Sequence, residues 1–213
     1  MASYPNTSSY PKPPWETVGY AVFRAYRTPT SAIPLPPGLK PVSTFGQSIG
    51  LFGYIRYEAP SPLEYAELIW LPTMVEARGK RGYYVERMHV DCERSLEAGQ
   101  TEWALPKTLA RFDERDGDVA IETADGSSFD LSFRPIGPAL PATSLLATLQ
   151  TRGDELLRFS SKMKARASLG SLKINSMTIA EPGWESFRHA RPLPAPSVML
   201  RSFSATMNPA KSL

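Results

Sequence analysis

The chain has 213 residues, 24 basic and 21 acidic side chains, a formal net charge of +3, one cysteine and 21 prolines. A lone Cys92 excludes an internal disulfide framework and a cysteine-rich zinc site, and no apolar stretch is long enough to cross a bilayer. The near-balanced charge has basic runs only at Arg78–Arg81 and Lys162–Arg166, without a basic-aromatic motif, and so argues against nucleic-acid binding.

Residues 1–17, rich in Pro, Ser and Tyr, read as an extended arm that packs through Trp15, followed by a single domain over 18–213. The opening residues lack a signal-peptide apolar region and the final Lys-Ser-Leu is not the peroxisomal Ser-Lys-Leu, so the cytoplasm is the expected compartment. Tyr20–Arg27 alternates as a strand, with Tyr20, Val22, Arg24 and Tyr26 on one face and Ala21, Phe23, Ala25 and Arg27 on the other. Prolines 34, 36, 37 and 41 then allow at most a short helical turn. Ile49–Glu58 and Glu64–Leu71 are β-rich runs separated by the turn Ala59-Pro60-Ser61-Pro62. Gly82–Asp91 reads as one further strand, and Ser95 as the cap of a short helix from Leu96 to about Glu102. Asp116-Gly117 and Asp125-Gly126 are hairpin signals around Val119–Thr123 and Phe129–Pro135. Leu145–Leu157 reads weakly as helix, and Leu156–Phe159, Lys173–Ala180 and Val198–Ser204 as strands. The fold class is mainly β, an α+β chain with antiparallel sheet and few short helices.

Lys107 stands just beyond the expected helix in a mostly apolar run, after Trp103, Ala104 and Leu105 and before Leu109 and Ala110. Two readings stand. A lysine beside apolar residues commonly lays its stem along a surface with its charge in water; a desolvated one loses its proton more readily and attacks carbonyl groups. Glu67, between Ala66 and Leu68, is either an inward proton shuttle or a strand-edge or arginine-paired carboxylate. Trp103 and Tyr65 are core or cavity-wall aromatics. Arg24 or Arg27 is placed to bind a substrate carboxylate, or is simply exposed. Glu102 has the charge to neutralise Lys107. His89 is not assigned a role, and two histidines without paired spacing argue against a catalytic zinc triad. Phosphate-loop, nucleophile-elbow and dinucleotide fingerprints are absent.

Gly99, Pro106-Lys107 and Leu109-Ala110, preceded by Tyr26-Arg27-Thr28, Leu35-Pro36-Pro37-Gly38-Leu39 and Tyr65-Ala66-Glu67, together resemble the acetoacetate decarboxylase family. The resemblance implies a β-barrel wrapped by antiparallel sheet, an imine-forming lysine at Lys107, Glu67 beside it, and a homo-oligomer, dimer or tetramer. No cofactor is expected. The family's second lysine is here Thr108, its arginine before the first strand aligns near Gly19, and its strand glutamate aligns near Phe52 or Gly53. These departures make acetoacetate a poor substrate, leave Lys107's basicity to burial alone, and place Phe52 as an apolar contact for a less polar ligand. The expected partner is a small carbonyl or apolar molecule. The first reading is Schiff-base chemistry on a keto acid or polyketide-like carbonyl: aldol addition, dehydration, cyclisation or decarboxylation. The others are an apolar cyclase chamber without an imine, and a barrel that binds a hydrophobic ligand without chemistry.

Overall fold

Aromatic and β-branched residues between proline and glycine turns fold into long strands whose apolar faces pack inward. The computed structural model describes residues 9–124, 126–180 and 183–213. Strand β1 (Trp15–Pro29) starts inside the expected arm; Trp15 is buried and meets Trp103 edge-on at 5.0 Å. After a single 3-10 turn (Thr30–Ala32) come β2 (Lys40–Pro41), β3 (Gln47–Glu58), β4 (Tyr65–Leu71) and β5 (Thr73–Ala77). The strand expected over Gly82–Asp91 is two, β6 (Lys80–Tyr84) and β7 (Arg87–Val90), broken at Val85-Glu86. Helix α1 (Glu93–Trp103) leads into β8 (Lys107–Arg115) and β9 (Asp118–Thr123). Asp116 and Gly117, both at positive φ, make the β8–β9 turn as expected. Asp125 lies outside the described residues.

The helix expected over Leu145–Leu157 does not form. That stretch is shared between β10 (Ser128–Arg152) and β11 (Glu155–Thr178), paired antiparallel from Ser128↔Thr178 to Arg152↔Glu155. The weak helical preference yields to continuous cross-strand pairing and to a turn with Gly153 at φ +56°. Helix α2 (Glu185–His189), β12 (Arg191–Pro192), β13 (Ser197–Met207) and β14 (Lys211–Ser212) complete the chain.

All fourteen strands share one sheet, in the order β14-β11-β13-β1-β3-β4-β7-β8-β9-β10-β6-β5-β2, with β12 on β1. A further β10–β11 pairing joins the path back on itself. The result matches the expected mainly-β class, although it is not a strict barrel. Pairing is antiparallel except for β7–β8 and a single β10–β6 bridge; the α1 crossover makes the parallel β7–β8 pair possible. All seven residues of β4 are buried, which requires cover on both faces. One apolar cluster contains Ile55, Ile69, Phe203 and Leu200; another contains Val22, Phe52, Trp70 and Phe187. Successive residues of β1, β3 and β4 point alternately into the two, so these strands form a shared wall. No helix among the described residues is long and apolar enough to cross a membrane.

Candidate active site

Lys107 is the first residue of β8, and its position follows from how α1 ends. Ala104 closes the helix at φ +53°, the Leu105 amide donates to the Gly99 carbonyl at 3.0 Å, and Gln100 Nε2 donates to the Lys107 carbonyl at 2.9 Å. Ser95 and Gly99, four residues apart, share the helix face that meets β8. Gly99 leaves room for the lysine stem: a Cβ there would stand 2.4 Å from Lys107 Cδ.

The lysine side chain is 2 % exposed and that of Glu67 4 %. Lys107 Nζ lies 3.1 Å from Glu67 Oε2 and donates to Ser95 Oγ at 2.8 Å and, over 3.5 Å, to the Tyr65 hydroxyl. It also stands 4.9 Å from the Tyr65 ring centre, a cation–π distance. Tyr65 in turn stacks on Tyr57 with centroids 4.5 Å apart. Burial, reinforced by the Glu67 charge, pushes both phenols well above their ordinary range, so they remain neutral hydrogen-bonding groups.

Beside this cluster opens a cavity of about 440 Å³. Phe23, Leu51, Ile55, Ile69, Phe159 and Leu200 wall it, while exposed Thr143, Ser144 and Leu146 of β10 mark its outer side. Among the described residues lining it, Lys107 and Glu67 are the only charged groups. A wider cleft of about 890 Å³ lies elsewhere and is polar. Its Tyr20 and Tyr54 donate to Glu114, and its Arg56 and Arg134 lie 3.5 and 3.1 Å from Asp91 and Asp118. It holds none of the residues around Lys107.

The structure brings Lys107, Glu67 and Tyr65 together and separates the other candidates from them. Trp103 is core behind the chamber: buried, 6.1 Å from the wall residue Phe159, with its indole donating to the Asn208 carbonyl at 2.8 Å. Phe52 does not reach the chamber. It pairs with Trp70 across β3–β4 and stacks on Phe187 at 5.0 Å, because odd-numbered β3 residues face the cavity and even-numbered ones the aromatic core. Arg27 does not line the chamber either: of its two readings the exposed one holds, on β1 outside the cavity wall. Arg24 donates to the Leu172 carbonyl at 3.1 Å. Glu102 does not neutralise Lys107 but accepts from Tyr10 and Lys12 of the N-terminal segment, at 2.9 and 2.7 Å.

Ser95 is not the helix cap, which is Cys92; it lies within the first turn and receives the lysine's hydrogen bond. By sequence Ser95 is a helix cap and Tyr57 carries no assignment; their place in the site follows from the seating of α1 on β8 and from the Tyr57–Tyr65 stacking. Thr108 lies on the opposite side of β8 from Lys107, its Oγ1 2.7 Å from His89 Nδ1. A charge at position 108 would therefore point at His89 and away from Nζ. The positions aligned with missing family charges are closed by backbone and ring. A Cβ at Gly19 would lie 1.8 Å from the Arg56 carbonyl oxygen, and one at Gly53 would lie 2.3 Å from Phe23 Cδ1.

A sequence model described as "Acetoacetate decarboxylase (ADC)" matches residues 1–197. No curated protein matches the chain. Among solved structures, an acetoacetate decarboxylase from Legionella pneumophila subsp. pneumophila str. Philadelphia 1 is similar with a TM-score of 0.70 and 16% identity, over 100% of this chain and 92% of the other. An acetoacetate decarboxylase-like enzyme from Sphingomonas wittichii RW1 is similar with a TM-score of 0.66 and 16% identity, over 95% and 93%. The enduracididine biosynthesis enzyme MppR, complexed with pyruvate, is similar with a TM-score of 0.63 and 16% identity, over 97% and 92%. At such identities the structural likeness is one of fold.

Proposed function

The chain belongs to the acetoacetate decarboxylase family, a family of enzymes, and from that premise we propose that it forms an imine between Lys107 and a carbonyl substrate. One observation carries the reading: an amine buried at the wall of an apolar chamber, with a single carboxylate 3.1 Å away. Attack requires the free amine. Passing one Nζ proton to Glu67 supplies it and turns a buried ion pair into a neutral pair, which an apolar site tolerates better. Nζ then bonds to the carbonyl carbon, and Glu67 returns the proton to the carbonyl oxygen. The carbinolamine loses water, leaving a cationic imine opposite the Glu67 carboxylate. That carboxylate next takes an α-proton, and the electron pair moves toward nitrogen to give an enamine. Ser95, a hydrogen-bond partner on the helix, holds the amine in place throughout. Decarboxylation, aldol chemistry and dehydration all share this intermediate, so the class is that of a lyase.

The test is reductive trapping. Borohydride with a carbonyl compound is expected to add the corresponding mass at Lys107, and Lys107→Ala is expected to abolish turnover. A fully active alanine variant refutes the proposal. A second reading takes the same ion pair as permanent, since an ammonium is not a nucleophile. Lys107 and Glu67 would then serve as proton donor and acceptor for a cyclisation in the chamber, with turnover but no trapped adduct.

A further inference from the structure

We propose that the substrate is an uncharged carbonyl compound with an apolar chain, and that keto acids are discriminated against; this rests on the imine reading above. The chamber has no cation to spare. Its only charged groups among the described residues are Lys107 and Glu67, and they occupy each other at 3.1 Å. The two arginines on β1 are both elsewhere, Arg24 on the Leu172 carbonyl and Arg27 on the exposed surface. The wall cannot readily gain a polar group at Gly53, because the Phe23 ring already fills the space a side chain there would need.

Charge counting leads to the same conclusion. A neutral ketone that condenses with Lys107 leaves one cationic imine facing one carboxylate, so the buried site stays neutral from start to finish. A keto acid brings a second carboxylate into the same apolar space, where the single imine cation balances only one of the two. Either one charge stays unpaired and strongly disfavoured, or Glu67 must hold a proton and can no longer take the α-proton. Hydrogen bonds from the hydroxyls of Thr143 and Ser144, on the exposed strand, do not replace a counter-ion. The cavity also limits the chain: about 440 Å³, at the ~30 Å³ that a water-sized group occupies in a liquid, holds about fifteen non-hydrogen atoms. A substrate without a β-carboxylate has no carbon dioxide to lose. The enamine is left with carbon–carbon bond formation, its reversal, or expulsion of a β-hydroxyl as water.

The experiment compares borohydride trapping of the wild-type protein by methyl octyl ketone, by the same chain with a terminal carboxylate (9-oxodecanoate), and by pyruvate. Adducts are quantified by intact mass, with Lys107→Ala as the blank. The ketone is expected to trap at least about 100-fold more efficiently than either acid, the penalty of one unpaired buried charge. If either acid traps as well as the ketone, this inference is overturned while the imine reading survives. If none of the three traps, the imine reading fails and takes the inference with it.

Discussion

Replacing Gly99 by alanine tests whether the helix was left bare for the lysine. At an ordinary helical position this substitution stabilises by about 1 kcal/mol. Here the new Cβ would fall 2.4 Å from Cδ and 2.6 Å from Cε of Lys107, far inside the ~3.5–4.0 Å of a carbon–carbon contact. Overfilling a packed site costs roughly 1–3 kcal/mol, and pushing Nζ off Ser95 loses a charge-assisted hydrogen bond worth roughly 1.5–3 kcal/mol. Set against the helical gain, the variant is expected to lose about 1.5–5 kcal/mol. At about 2–4 °C per kcal/mol for a chain of this size, the midpoint falls by at least about 3 °C. Calorimetry reads the stability, and borohydride trapping reads whether the amine still reaches the chamber. A variant that melts a few degrees higher than wild type and traps at the wild-type rate would show that the stem does not depend on this gap.

Glu67→Gln and Lys107→Met should each lose about 3–5 kcal/mol in urea denaturation, because each strands one buried charge. The double variant should lose clearly less than both together; strict additivity would mean the two groups are not coupled. Burial lifts the carboxyl of Glu86 to about 7, against a hydrogen bond from Ser186 at 2.5 Å that lowers it, while its Oε1 has no hydrogen-bond partner among the described residues. The folded chain thus keeps this proton between about pH 4.5 and 7, where the unfolded chain has released it. Stability is therefore expected to fall as pH rises through that window, by up to about 3 kcal/mol, and Glu86→Gln to flatten the slope; an unchanged profile would dismiss Glu86 as its source.

The elements that were legible in the sequence are those governed by local chemistry. Asp116-Gly117 announces its hairpin, and the alternation of Tyr20–Arg27 assigns each residue to the correct face. What was not legible depends on register and on distant partners. The family resemblance places Phe52 in the site, but which face of the β3–β4 pair looks into the chamber is decided by packing against distant strands, and alternation alone does not choose between the face of Ile55 and that of Phe52. Ser95 has the residue type of a cap, and only the seating of α1 on β8 turns it toward the amine. Leu145–Leu157 has a mild helical preference that its β11 partner overrides. Between a carboxylate clamp and simple exposure the sequence does not decide for Arg27, because composition does not reveal where the chamber ends. Thr108 stands where the resembled family has a second lysine, yet its contribution is to His89, which the alternation along β8 made inevitable.

The Phe23 ring seated over Gly53 has an evolutionary corollary. A substitution at position 53 that adds an acid or a base to this wall requires the ring to move, since a Cβ there would lie 2.3 Å from Phe23 Cδ1. Shrinking Phe23 alone opens a void and weakens the packing before any new group arrives. A descendant with a polar pocket must therefore change both positions together, or cross a less stable intermediate. The contact between these neighbouring strands thus keeps this part of the wall free of charge.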